Sequence, residues 1–460
     1  MGIRLDWEIE AEQGQIKSAG EDVIAQRKRR VAWLRFILLV GIVAGVLGGI
    51  AALITWRLRA VDDQIAQLLR NTVDAEVAAI RIGDQTAFLA AQRSASDEWP
   101  QQQAQLFNDY QQLKLTQRIE LTGQILDLNI NDTRARVEVQ EIDNGVPYTR
   151  VWFYWRYDDG WRHVPPDYTF WGDVATFQGQ GVNIRYQTVD APVATAMGAA
   201  MQEWLQTACA AFASLVCGQQ PLVSMDVLPD DALQVSWSAN DVWALQVPSP
   251  YITRARSDMP FDTDLQFSVA GLLAERLVAV SSANLQPTYP ADAYYLRQAI
   301  VSWLVGKFVH QDTNAFVIDS LAKNYGDAAV GRLLQAMQPG SDASIIMGAA
   351  GVTSLDQANL DWRDLLTWRL MTEDELIRRR DDVNFLSLYD TRDDNVRNLA
   401  SQRYTVIPGD LKRTVLSAPL ATGADGLPTL RATAQVQDGA NVSQEEVLFR
   451  LVDGVWRRAN

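Results

Sequence analysis

The sequence predicts an α+β protein carried on a single transmembrane helix. Three observations predict it. Phe36 to Trp56 is a run of 21 residues without a charge. From Arg118 the apolar period changes from that of a helix to two, with turn residues between the runs. After Asp262 the pattern is helical again, and the C-terminal segment repeats features of the first folded one.

The apolar run, FILLVGIVAGVLGGIAALITW, makes about 31 Å of helix, enough for a bilayer core of about 30 Å. Arg27, Lys28, Arg29, Arg30 and Arg35 precede it, and Arg57 and Arg59 follow. The basic excess on the amino side predicts a cytoplasmic N-terminus (residues 1–30), a membrane helix over 31–58 and an extracytoplasmic bulk. A signal-anchor fits better than a cleaved signal: the run is long, and no A-x-A site follows. Gly41, Gly45 and Gly49 recur every fourth residue, the spacing of close-packed membrane helix dimers, so a homodimer through this face is one reading. Common glycine in membrane helices is the other.

Net charge is −15 over 460 residues, and the first 60 residues are themselves +3. The remainder is therefore strongly acidic, which excludes non-specific nucleic-acid binding. Hydrophobic content of 48% allows large cores. Cys209 and Cys217 sit near the end of one predicted helix. Eight residues of continuous helix would hold them about 12 Å apart, beyond disulfide reach. A bond needs the helix to end before Cys217; two buried thiols are the alternative.

Val61 to Gln92 reads as a strong helix with apolar Ile65, Leu68, Leu69, Val73, Val77 and Ile80, continuous with the membrane span. A second helical stretch covers Pro100–Leu113. Strands follow over Arg118–Ile130, Arg134–Ile142, Tyr148–Tyr157 and Trp161–Pro165, with Asp143-Asn144-Gly145 and Asp159-Gly160 as hairpin turns. In Val151–Tyr157, alternation puts Trp152, Tyr154 and Arg156 on one face. If that face is outward, its composition is that of an interface hot spot. Near the C-terminus, Ile377-Arg378, Asp381 and Phe385-Leu386 repeat Ile80-Arg81, Asp84 and Phe88-Leu89. Asp453-Gly454 with Trp456-Arg457 repeats Asp159-Gly160 with Trp161-Arg162.

Helices followed by a meander, over about 61–172, resemble the cystatin-like cone of the nuclear-transport-factor-two and SnoaL-like superfamily. The internal repeat implies a second cone over 362–460. Such cones bind proteins or small apolar ligands, and some SnoaL-like members are enzymes. Catalysis in such a cavity would need a buried acid or base, for which His163 or a strand aspartate is the candidate.

Between them, over 173–361, strands are expected at Val182–Tyr186, Pro221–Val227 and Val242–Val247, with a helix at Ala191–Leu215. The helix pair FDTDLQFSVAGLLAERLVAVSS and YPADAYYLRQAIVSWLVGKFVHQ resembles the active-site pair of gluzincin (MA-clan) zinc peptidases. Tyr325-Gly326, Gly351-Val352 and Trp362 match that group's helical tail, and Trp243–Val247 falls where its cleft-lining edge strand belongs. In the family the first helix carries HExxH, whose histidines bind zinc while the glutamate activates water. Here those ligand positions fall on Ala274 and Val278, and the second-helix carboxylate on Val305; only Glu275, at the glutamate position, survives. The resemblance therefore implies a zinc-free, inactive peptidase homologue, a binding or scaffold protein without a cofactor. Its partner, whether protein or small apolar ligand, is unspecified. An active peptidase with a non-standard site is an alternative.

Other chemistry is weakly represented. His163 and His310 are the only histidines, which limits triad and zinc chemistry. Gly179-Gln180-Gly181 lacks the third glycine of a dinucleotide loop. Asp390, Asp393 and Asp394 do not match a calcium loop and read as a solvated cluster.

Overall fold

The computed structural model describes residues 23–213, 215, 223–282 and 285–460. The fold is mixed α+β, about half helical and a quarter strand, with one long apolar helix near the N-terminus. Two compact units divide the chain. One holds the chain through Gln111 with Asn129–Ala135 and Tyr154–Val164; the other holds Gln112–Leu128, Arg136–Phe153 and Pro165–Asn460.

In the first unit, α1 (Val23–Ile82) runs unbroken from the apolar span into the folded part. Its outer end buries Leu69, Val73, Glu76, Val77 and Ile80. These positions share one stripe at helical spacing, so the sequence buries this end by ordinary amphipathicity. Gly83, at φ +80°, ends the helix. Asp84 then caps α2 (Gln85–Ala90) by accepting from the Ala87 N–H at 2.9 Å. The sequence expectation of one helix to Gln92 missed this break. Next comes α3 (Glu98–Thr116), whose Phe107 ring lies 5.4 Å from that of Phe88. β4 (Gly160–Val164) pairs with the end of β3 (Val146–Tyr157) and also docks on the chain after α2. There His163 N–H donates to Ala91 O, and Arg93 N–H to His163 O, both at 2.8 Å.

Most of β1 (Ile119–Asn131), β2 (Arg134–Asp143) and β3 belongs to the second unit, and the strand order is β1-β2-β3-β10. β10 is only Ala255–Arg256, and it pairs with Tyr148 and Thr149. Glu141, fully buried, fixes this edge: Arg150 Nε and Arg254 Nη1 each approach it at 2.6 Å. Residues expected in the central segment thus complete the sheet of the preceding one.

The second sheet has the order β5-β6-β7-β9-β8. β5 (Val174–Gly179) and β8 (Ser236–Trp237) are antiparallel to their neighbours. β6 (Val182–Gln187), β7 (Val223–Leu228) and β9 (Ala244–Pro248) are parallel. The expectation that Trp243–Val247 forms the edge is corrected, because β8 lies outside β9. Against β5 and β6 packs α4 (Ala191–Ala211). Gly198 is required there, since a Cβ would fall 2.3 Å from the Phe177 ring.

α5 (Thr263–Ser281) packs on α6 (Asp292–Val309). Asp262 caps α5 through the Leu265 N–H at 2.9 Å. α7 (Phe316–Tyr325), α8 (Asp327–Ala336) and α9 (Ile345–Ala350) follow. Gly326 and Gly351 take positive φ at the ends of α7 and α9.

The last segment repeats the element order of the first. α10 (Arg363–Arg379), α11 (Asp382–Ser387) and α12 (Asp394–Thr405) correspond to the end of α1, α2 and α3. β11 (Leu411–Ser417), β13 (Pro428–Asp438), β14 (Asn441–Val452) and β15 (Val455–Arg458) form an antiparallel meander. A short β12 (Leu420–Thr422) is added beside β13. Asp381 caps α11 as Asp84 caps α2. The parallel bridge Gln92–His163 reappears as Tyr389–Arg458.

Candidate functional site

Three places are candidates: the α5–α6 pair that the sequence singles out, and a buried glutamate in each repeat.

On α5, burial repeats as Val269-Ala270, Leu273-Ala274 and Leu277-Val278, all with no exposure. Ala274 and Val278 share this inner face because residues four apart on a helix do. Glu275 lies on the outer face and is exposed. Its neighbour Arg276 stacks over the Trp237 ring at 4.7 Å, and Trp237 in turn meets Trp243 edge-on. Val305 is buried on α6. The positions where the resemblance would place zinc ligands therefore lie in apolar core, which offers nothing to replace a cation's hydration shell. Among the described residues, no three His, Cys, Asp or Glu side chains gather to hold a metal.

His310 closes α6 in a left-handed conformation, is largely exposed, and lies 3.2 Å from Glu203. Beside it, Trp303, Lys307, Thr313 and Asp319 line a cavity of about 220 Å³. A larger one, about 570 Å³, is lined by residues including Asp361, Arg363, Leu416, Pro419 and Leu420. The Asp361–Arg363 ion pair at 2.6 Å already occupies the charge at its wall.

In the first repeat, the buried carboxylate of Glu76 is bound from three directions. It accepts from Gln92 Nε2 at 2.7 Å and from the Tyr154 hydroxyl at 2.8 Å, and it lies 2.7 Å from His163 Nδ1. Burial, and then the Glu76 charge, raise the Tyr154 pKa well above its ordinary value. The expected outward set is thus corrected. Tyr154 is fully buried, while Trp152 and Arg156 are half-buried and Trp155 is the residue at 44% exposure. Alternation fails there because Phe153 and Tyr154 are both covered.

The second repeat places Glu373 where the first has Glu76. Leu69, Val73, Glu76 and Ile80 correspond to Leu366, Leu370, Glu373 and Ile377, and all eight are buried. Arg458 stands at the position of His163, donating to Glu373 at 2.8 Å, and Tyr389 donates from the position of Gln92 at 3.2 Å. Arg403 adds an ion pair at 3.3 Å. Next to them, Asp374 takes two contacts of 2.6 Å from Arg413 Nη1. The recurrence of a helix glutamate tying the last strand to the post-helix loop marks a joint of the fold. In the second copy an arginine takes the place of the histidine.

The acidic cluster is also corrected. Asp390 is buried between Arg392 and Arg450, which hold its carboxyl below the usual range. Asp393 caps α12, and only Asp394 is a solvated residue with a neighbouring arginine, Arg397. Cys209 is disulfide-bonded and α4 ends at Ala211, so the condition for a bond is met. Cys217 lies outside the described residues. A Cβ added at Gly41, Gly45 or Gly49 would meet no other part of the chain within 4 Å.

Comparison with known proteins gives no family. No family model, curated protein or solved structure matches the chain.

Proposed function

We propose that this is a membrane-anchored, extracytoplasmic binding or scaffold protein. In this reading, residues 173–361 are a gluzincin-like peptidase domain without zinc chemistry, flanked by cystatin-like cones over 61–172 and 362–460. One observation carries it: Ala274 and Val278, at the positions of the two histidines, are sealed in the apolar core of α5. Alanine and valine at the two histidine positions present only hydrocarbon, which cannot hold the metal that would activate a water. The anchor rests on the apolar part of α1, long enough to cross a bilayer. The disulfide at Cys209 is in keeping with an oxidising, extracytoplasmic compartment.

Catalysis at His163 in the first cone is the weaker reading. Its ring is committed to Glu76 and the residue is 7% exposed, so a substrate would have to open the core.

The test uses the full chain in detergent, loaded with zinc and desalted. We expect no retained zinc and no chelator-sensitive peptide hydrolysis. One tight zinc per chain together with chelator-sensitive cleavage would overturn the proposal.

A further inference from the structure

Between the apolar span and its first fully buried residue, Leu69, α1 is largely exposed, with only Ile65 and Ala66 partly covered. From Trp56 to Leu69 this is about 20 Å of helix. This stretch is not polar all round. Leu58, Val61 and Leu68 are 60%, 48% and 53% exposed, and Ile65 is half-buried. Their spacing is three, four, three. Extended back into the span it takes in Ile54, Ala51 and Leu47, the a/d pattern of a coiled coil with Ala51, Leu58 and Ile65 at a, and Leu47, Ile54, Val61 and Leu68 at d. The seam stops at Leu68 because the next turns of α1, at Leu69 and Val73, are buried in its own unit.

We propose that this face pairs with a second copy of the same chain as a parallel two-stranded coiled coil over Ala51–Leu68. The identity of the occupant follows from charge and symmetry. In this register Arg57 falls at g and Asp62 at e. In a parallel pair the g residue of one helix meets the e residue five positions on in the other, so each side of the seam gains an Arg57–Asp62 pair. The remaining charges of the stretch, Arg59, Asp63 and Arg70, fall on the outer positions. Two copies anchored in one bilayer with one topology are necessarily parallel and level, which sets Leu58 against Leu58 without a register choice.

This seam is not the glycine face. At about 100° per residue, Gly45 lies about 180° around the helix from Ile54. A dimer through Gly41, Gly45 and Gly49 would leave the seam uncovered, so the two arrangements give opposite crosslinking patterns.

The inference rests on the anchor reading, and carbonate extraction of membranes checks that reading separately. The experiment places single cysteines in the full chain in its membrane, at Leu58→Cys, Val61→Cys, Asp63→Cys and Gly45→Cys. The unsubstituted chain is the control, its Cys209 being already disulfide-bonded. Mild oxidation should give about tenfold more covalent dimer at positions 58 and 61 than at 63 or 45, as expected for a seam against its outer face. Arg57→Glu should lower the Val61→Cys yield, and adding Asp62→Arg should restore it. Equal yields at all positions, no dimer, a band of another mass, or dominance of Gly45→Cys would each overturn the proposal. So would failure of the double charge reversal to restore crosslinking.

Discussion

Glu373→Ala should destabilise the protein by about 3–5 kcal/mol, the range for removing one partner of a buried ion pair. The reason is what it leaves behind. Arg458 and Arg403 would face a hole where their counter-charge stood, and Arg458 is almost wholly buried. Arginine cannot shed its proton to escape, because its guanidinium stays charged across the accessible pH range. Glu76→Ala should cost less, although Glu76 is just as buried. Its partners are a glutamine, a tyrosine hydroxyl and a histidine, and none of them must carry a charge. Denaturant unfolding followed by tryptophan fluorescence can rank the two, with the buried Trp456 two residues before Arg458 and the buried Trp161 two before His163. Arg458→Ala combined with Glu373→Ala should be milder than the sum of the single changes, since it removes the stranded charge. If Glu76→Ala proved the more damaging, the arginine cluster would not be what holds the second repeat.

Much of the fold was legible because the meanders follow simple rules. The expected strand Arg134–Ile142 is observed as Arg134–Asp143. The turn residues do what their chemistry allows: Asn144, Gly145 and Gly160 all take positive φ. β8 and β10 leave no mark in the sequence, since two residues carry no period and β10 is defined by a strand distant in sequence. β5 is hard to read because its covered face carries Ala175, Phe177 and Gly179, of which only Phe177 is a large apolar residue. Tyr154 departs from its expected outward face for the opposite reason. Its strand has large apolar groups on both faces, and only the partner Glu76, 78 residues earlier, decides which face is inside.

The glutamates themselves did leave a trace. Leu69-Val73-Glu76-Ile80 and Leu366-Leu370-Glu373-Ile377 are apolar stripes interrupted at the same point by a carboxylate. One such interruption is unremarkable on a surface helix. Its return within a repeated segment is a sign that the charge is buried with partners. By contrast, nothing local marks Glu275 as outward-facing; that depends on which stripe of α5 meets α6, and α5 is apolar around most of its circumference.

Stability should fall as pH rises from about 4 to about 7, and Asp190→Asn should abolish much of that fall. Asp190 sits at the start of α4, with no exposure. It accepts from Trp171 Nε1 at 2.9 Å and from the Ser249 hydroxyl. Burial pushes its carboxyl up to about 7; the two hydrogen bonds and the Arg136 charge oppose this, and Glu138 adds to it. In the unfolded chain the same group titrates near 3.8. Between those values the native state keeps a proton that the unfolded state has released, so raising the pH favours unfolding. Below about 4 both states are protonated and the penalty vanishes; above about 7 it is complete, on the order of 4 kcal/mol. Asparagine has no charge to desolvate and can still accept from Trp171. The variant should therefore match the parent near pH 4 and exceed it in stability near pH 8, the comparison being made by denaturant midpoints at each pH. Parallel pH profiles for the two proteins would show that Asp190 ionises in the native state as easily as in water, and that its two donors outweigh its burial.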